Sequence, residues 1–80
     1  MTGKIEYRAY RSRITDKELG CYTTYGVRAY LCLKERRHLV AQLADMSLCK
    51  SEVLGLVYRL NRENTSPFLM IREAEDMLGL

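Results

Sequence analysis

A chain of 80 residues with 48% hydrophobic residues, one proline and no low-complexity run is expected to fold as one domain around a modest core, not to remain disordered. A core of this size leaves little stability to spend on a deep catalytic pocket, so function is expected on the outer surface. The net charge of +3 and a pI near 8.9 weigh against an acidic mimic of DNA and fall short of the clustered charge that alone would mark a nucleic-acid binder.

The charge is uneven. Up to Met46 there are nine Lys plus Arg against five Asp plus Glu, and from Ser47 onward four against five, so the first half carries the positive field. The hydrophobic rhythm changes at the same place: apolar residues alternate with polar ones before Ser47 and recur every three or four residues after it. That switch predicts a strand half over 4–46 and a helical half over 47–80.

The first strand is expected from Lys4 to about Arg13, with Ile5, Tyr7 and Ala9 facing one way and Glu6, Arg8, Tyr10 and Ser12 the other. Residues 15–20 read as a polar connection ending in Gly20. A second strand, Cys21 to Leu33, places Thr23, Tyr25, Val27, Ala29, Leu31 and Leu33 on one face and Tyr22, Thr24, Arg28, Tyr30 and Cys32 on the other. Gly26, in its middle, predicts a bulge or a close backbone approach. Residues 34–37 form a charged turn, and His38 to Asp45 a third strand with Leu39, Ala41 and Leu43 opposite Val40, Gln42 and Ala44. The simplest arrangement is a three-stranded antiparallel meander.

Ser47 is placed to cap a helix over 48–62 whose buried stripe is Val53, Leu56, Val57 and Leu60; Gly55 beside it is expected to allow close packing. Ser66 and Pro67 start a second helix, Met70, Ile71, Ala74, Met77 and Leu78 form its stripe, and Gly79 ends it. Both stripes need covering, so the helices are expected on the Ile5, Tyr7, Val27, Ala29, Leu31 side of the sheet. The fold class is thus α+β, a β-β-β-α-α two-layer sandwich.

The opposite sheet face then looks outward and carries Arg8, Tyr10, Tyr22, Arg28 and Tyr30, the candidate partner-binding residues. Tyrosine and arginine are enriched at protein-binding hot spots, and the same side chains can stack on unpaired bases and contact phosphate. Strand propensity and solubility also place these residue types on exposed strands without any binding role.

Other chemistry is thin. Cys21, Cys32 and Cys49 have no CxxC spacing, and the single histidine, His38, has no second ligand nearby, so reduced thiols and no metal or cofactor are expected. His38 among charged residues reads as solvated, Glu73, Glu75 and Asp76 as the polar side of a helix, and no glycine-rich phosphate loop is present, so catalysis is not expected. No apolar stretch reaches the roughly 18 to 20 residues that cross a bilayer, and residues 1–6 contain no apolar signal core, so the expected setting is cytoplasmic, with no membrane partner.

Tyr25-Gly26-Val27 in a strand, Asp45-Met46-Ser47 before a helix, Asn61 near its end, Ser66-Pro67 and Glu75-Asp76-Met77-Leu78 resemble the pattern of an uncharacterised family of small proteins from Firmicute bacteria. The resemblance covers roughly Tyr22 to Leu78. It implies a bacterial, cytoplasmic setting and supplies no activity or site residues.

Together these readings give a small non-catalytic interaction module that binds another protein or itself. Two alternatives stay open: a single-stranded nucleic-acid binder using the tyrosine and arginine face, and a phage or mobile-element inhibitor of a host nucleic-acid-binding enzyme. Homodimerisation competes for the same surfaces, because the sheet has two edges and the second helix ends in the apolar Met77-Leu78-Gly79-Leu80.

Overall fold

Alternating strand residues and helically spaced apolar residues build the expected order. A computed structural model describes residues 3–79, the side chain of Leu78 excepted. The elements are β1 (Lys4–Asp16), β2 (Gly20–Leu33), β3 (Arg36–Ser47), α1 (Lys50–Arg62) and α2 (Pro67–Leu78), with the strands in one antiparallel sheet of order β1-β2-β3. No helix among the described residues is long and apolar enough to cross a membrane.

Both hairpins are tighter than the sequence suggests. β1 continues to Asp16, which pairs with Gly20, so the expected connection over 15–20 shrinks to a turn at Lys17–Leu19. The Asp16 carboxylate accepts hydrogen bonds from the N–H groups of Glu18 (2.8 Å) and Leu19 (3.0 Å), which hold its carboxyl below the usual range, and Gly20 supplies the left-handed φ of 77°. At the second hairpin only Lys34 and Glu35 turn. Arg36 and Arg37 already belong to β3.

β3 follows β2 irregularly. Ala29 pairs with Ala41 but Tyr30 with Leu39, which leaves Val40 as an extra residue. A second irregularity lies between Tyr25, paired with Ser47, and Val27, paired with Leu43, and within it Asp45 has φ 52°. Gly26 sits at this crossing, as expected. A Cβ there would run into the Leu43 carbonyl oxygen and lie 3.0 Å from Ala44 Cα and 3.1 Å from Tyr10 Cε1.

The core joins Tyr7, Val27 and Ala29 of the sheet to Val53, Leu56 and Leu60 of α1 and Met70 and Ala74 of α2, each exposed by 2% or less. Ile5, Ala9, Tyr25, Ala41, Leu43, Val57 and Met77 pack around it. The helices therefore lie on the expected side of the sheet. Three helical details differ from expectation. Ser47 does not cap α1 directly: the N-cap is Cys49, whose N–H donates to Ser47 Oγ (3.0 Å), while that hydroxyl donates to Glu52 Oε1 (2.8 Å). Gly55 is exposed with nothing within 4 Å of an added Cβ, so no close packing within the chain explains it. Ile71, expected in the stripe, is 50% exposed beside β3, and the expected place of the Leu78 side chain lies outside the described residues. α2 begins and ends as read, with Ser66 Oγ accepting from Phe68 N–H (3.3 Å) and Gly79 at φ 76°.

The outer edge of β1 is plugged. Asn61, at the end of α1, accepts from the Tyr7 N–H through Oδ1 (2.8 Å) and donates from Nδ2 to the Tyr7 carbonyl oxygen (3.0 Å), as a neighbouring strand would. The Tyr7 hydroxyl donates to the Thr65 carbonyl oxygen, tying the loop after α1 to the same residue. Asn61→Ala removes both amide bonds and is expected to cost about 2 kcal/mol in urea unfolding. A change below about 0.5 kcal/mol would mean that water replaces the plug at no cost. β3 is the other edge, and two irregularities interrupt its pairing with β2.

Candidate functional site

Because Tyr7, Val27 and Ala29 point into the core, the intervening residues of β1 and β2 point to the uncovered face. Register decides which of them meet. Glu6 lies opposite Tyr30, Arg8 opposite Arg28, and Tyr10 opposite Gly26. Four of the five expected residues, Arg8, Tyr10, Arg28 and Tyr30, thus form one patch. Tyr22 is on the same face but pairs with Ile14, six residues along β2 from Arg28, or about 20 Å at strand rise. Buried Thr24, whose hydroxyl donates to the Ser47 carbonyl oxygen (3.2 Å), and buried Gly26 separate it from the others. Tyr22 instead donates to Asp45 Oδ2 (3.3 Å); its hydroxyl is shifted up by desolvation first and by the Asp45 carboxylate second.

The patch is ordered by its own contacts. The Arg28 guanidinium carbon lies 4.0 Å from the centroid of the Tyr10 ring, over its face, and Arg28 Nε donates to Gln42 Oε1 (3.4 Å). The Tyr10 ring also covers the bare backbone of Gly26. Arg37 lies over Tyr30, 5.7 Å from its centroid, and donates from Nη1 to Glu6 Oε1 (3.1 Å). Arg8 Nε donates to the same Glu6 oxygen (3.3 Å). The Arg37 hydrogen bond, with the field of Arg8 and Arg37, holds the Glu6 carboxyl below its usual range despite some desolvation. Glu6 is therefore ionised and engaged at neutral pH. The patch holds three arginines, Arg8, Arg28 and Arg37, and the one carboxylate of Glu6, so it stays basic.

Glu6, Arg37, Leu39 and Gln42 belong to this face and were not among the expected residues. Counting by twos from Ala41 puts Leu39 and Arg37 on the core side. The extra residue Val40 reverses them, so that Leu39 pairs with Tyr30 on the open side and is 51% exposed.

Several apolar side chains of the helices are also exposed: Phe68 (94% exposed), Leu69 and Ile71 on α2, and Leu54 and Tyr58 on α1. Cys21 and Cys49 are exposed and Cys32 half-buried, all as free thiols; hydrogen bonds from Ser51 and from the Glu52 N–H lower the Cys49 thiol. Among the described residues no group of three or more His, Cys, Asp or Glu side chains is placed to hold a metal ion. His38 is exposed opposite Leu31.

Fold and face together define a two-layer α+β domain with an open, arginine-rich and tyrosine-rich sheet surface. Compared with known proteins, the chain matches no family model, no curated protein and no solved structure.

Proposed function

We propose that this chain is a small non-catalytic interaction module that docks another protein on its open sheet face, in a bacterial and cytoplasmic setting. The observation that carries the reading is the Arg28 guanidinium laid on the Tyr10 ring at 4.0 Å, on a side the helices leave uncovered. Stacked arginines are already ordered, which lowers the entropy lost when a partner binds, and Tyr and Arg are the residue types that anchor protein interfaces. Base stacking is the less favoured use, since guanidiniums already cover a face of both Tyr10 and Tyr30. A mobile-element inhibitor would be one form of this module, and a second copy of the chain one form of its partner.

Capture from a bacterial lysate, with and without nuclease, tests the reading. A partner is expected to persist after nuclease treatment and to be lost with Arg28→Glu and with Tyr30→Ala, both of which should keep the thermal midpoint of the parent. A partner that disappears with nuclease, or that both variants still hold, would contradict it. If the partner is the chain itself, sedimentation gives twice the monomer mass.

A further inference from the structure

We propose that the partner presents carboxylates to this face, as an acidic protein segment, and that Glu6 is an internal stand-in for one of them. The inference rests on the reading of the open face as an interaction surface. Glu6 displays the chemistry the face accepts: two guanidiniums, on different strands, converge on one of its carboxylate oxygens at 3.1 and 3.3 Å. Arg28 is stacked and fixed through Nε, and its Nη groups have no hydrogen-bond partner among the described residues. A guanidinium held flat with its outer edge unoccupied is shaped for bidentate carboxylate binding.

The placement of the arginines sets the valence of the ligand. Arg8 and Arg37 already meet on one oxygen of Glu6, whereas Arg28, opposite Arg8 on β2, is held by Gln42 and makes no contact with Glu6. A segment with two or more carboxylates can meet Arg28 and compete with Glu6 for the other pair, and the exposed Leu39 beside Tyr30 gives it an apolar contact. A nucleic-acid strand would bring the same negative charge but would also need ring faces on which to stack its bases, and a guanidinium already covers one face of each of Tyr10 and Tyr30.

The probes are a fluorescein-labelled peptide of alternating Glu and Ser, the same peptide with Gln for Glu, and labelled oligo(dT), each titrated against the full chain at near-physiological salt. The Glu peptide is expected to bind, the Gln peptide and oligo(dT) to bind about tenfold more weakly or worse. Glu6→Gln removes the competing carboxylate and should tighten the Glu peptide about two- to fivefold, the range of an exposed ion pair. Arg28→Glu should weaken it by about tenfold or more, whereas Arg13→Glu, the same charge change far along β1, should stay within about twofold. Oligo(dT) binding more tightly than the Glu peptide, no gain with Glu6→Gln, or equal losses with Arg13→Glu and Arg28→Glu would each overturn the proposal. If the lysate partner is lost with Arg28→Glu yet the Glu peptide does not bind, carboxylate recognition fails while the interaction surface stands. Peptide binding without any captured partner is the reverse case.

Discussion

Gly26→Ala is expected to lower the unfolding free energy by about 3 kcal/mol, a large share of the 5 to 10 kcal/mol typical of a domain this size. An added Cβ meets backbone atoms, the Leu43 carbonyl oxygen and Ala44 Cα, and the Tyr10 ring. Backbone cannot rotate aside as a flexible side chain would, so β3 has to move or its pairing with β2 has to open. The same shift displaces Tyr10 from under Arg28, and the stack on the open face should loosen with it. Gly55→Ala makes the identical chemical change where an added methyl has empty space around it, in a helix, and is expected to stabilise by about 0.5 to 1 kcal/mol. Urea unfolding of the two variants should give shifts of opposite sign. Equal effects would mean that β3 does not cross Gly26 as closely as described.

Leu60→Ala is expected to cost about 3 kcal/mol by the same measurement. Leu60 is fully buried on the stripe of α1 that faces the sheet, and the next residue, Asn61, reaches the β1 edge. Truncation leaves a cavity between α1 and the sheet, and the helix cannot settle into it without pulling Asn61 off the Tyr7 backbone. Tyr58→Ala, two positions earlier and 66% exposed, should change stability by less than about 0.5 kcal/mol. A small loss at Leu60 together with a large one at Tyr58 would place the other face of α1 against the sheet.

Element types and order were legible because period and burial agree almost everywhere. Tyr7, Val27 and Ala29 alternate with Arg8, Arg28 and Tyr30, and a strand with one wet face cannot slip by one residue without burying its arginines. The Ser66 cap, Pro67 and Gly79 likewise state the limits of α2 locally. β3 was harder. Its side chains Ala41 and Ala44 are too small to define a strong alternation, and no residue type announces Val40 as the extra one, so the change of face at Leu39 and Arg37 had no local signal. Tyr22 shows a different limit. Parity assigns it to the open face, but contiguity depends on where β3 crosses, and buried Thr24 and Gly26 interrupt the surface between it and Arg28. Glu6 was visible as an outward residue of β1, but its role as a shared acceptor depends on Arg37 arriving from another strand. Gly55 was read from a packing rule that assumes a neighbour, and its surroundings within the chain are open.

The most direct test of the wet arginine and tyrosine face is nuclear magnetic resonance of the full chain with a soluble paramagnetic probe. The expected result is strong broadening of the side-chain signals of Arg8, Arg28 and Tyr30, with the methyls of Val27, Ala29 and Leu60 protected and the Arg28 side chain shifted upfield by the Tyr10 ring. Protection of Tyr30 and Arg28, with nuclear Overhauser contacts from them to the α1 methyls, would contradict it.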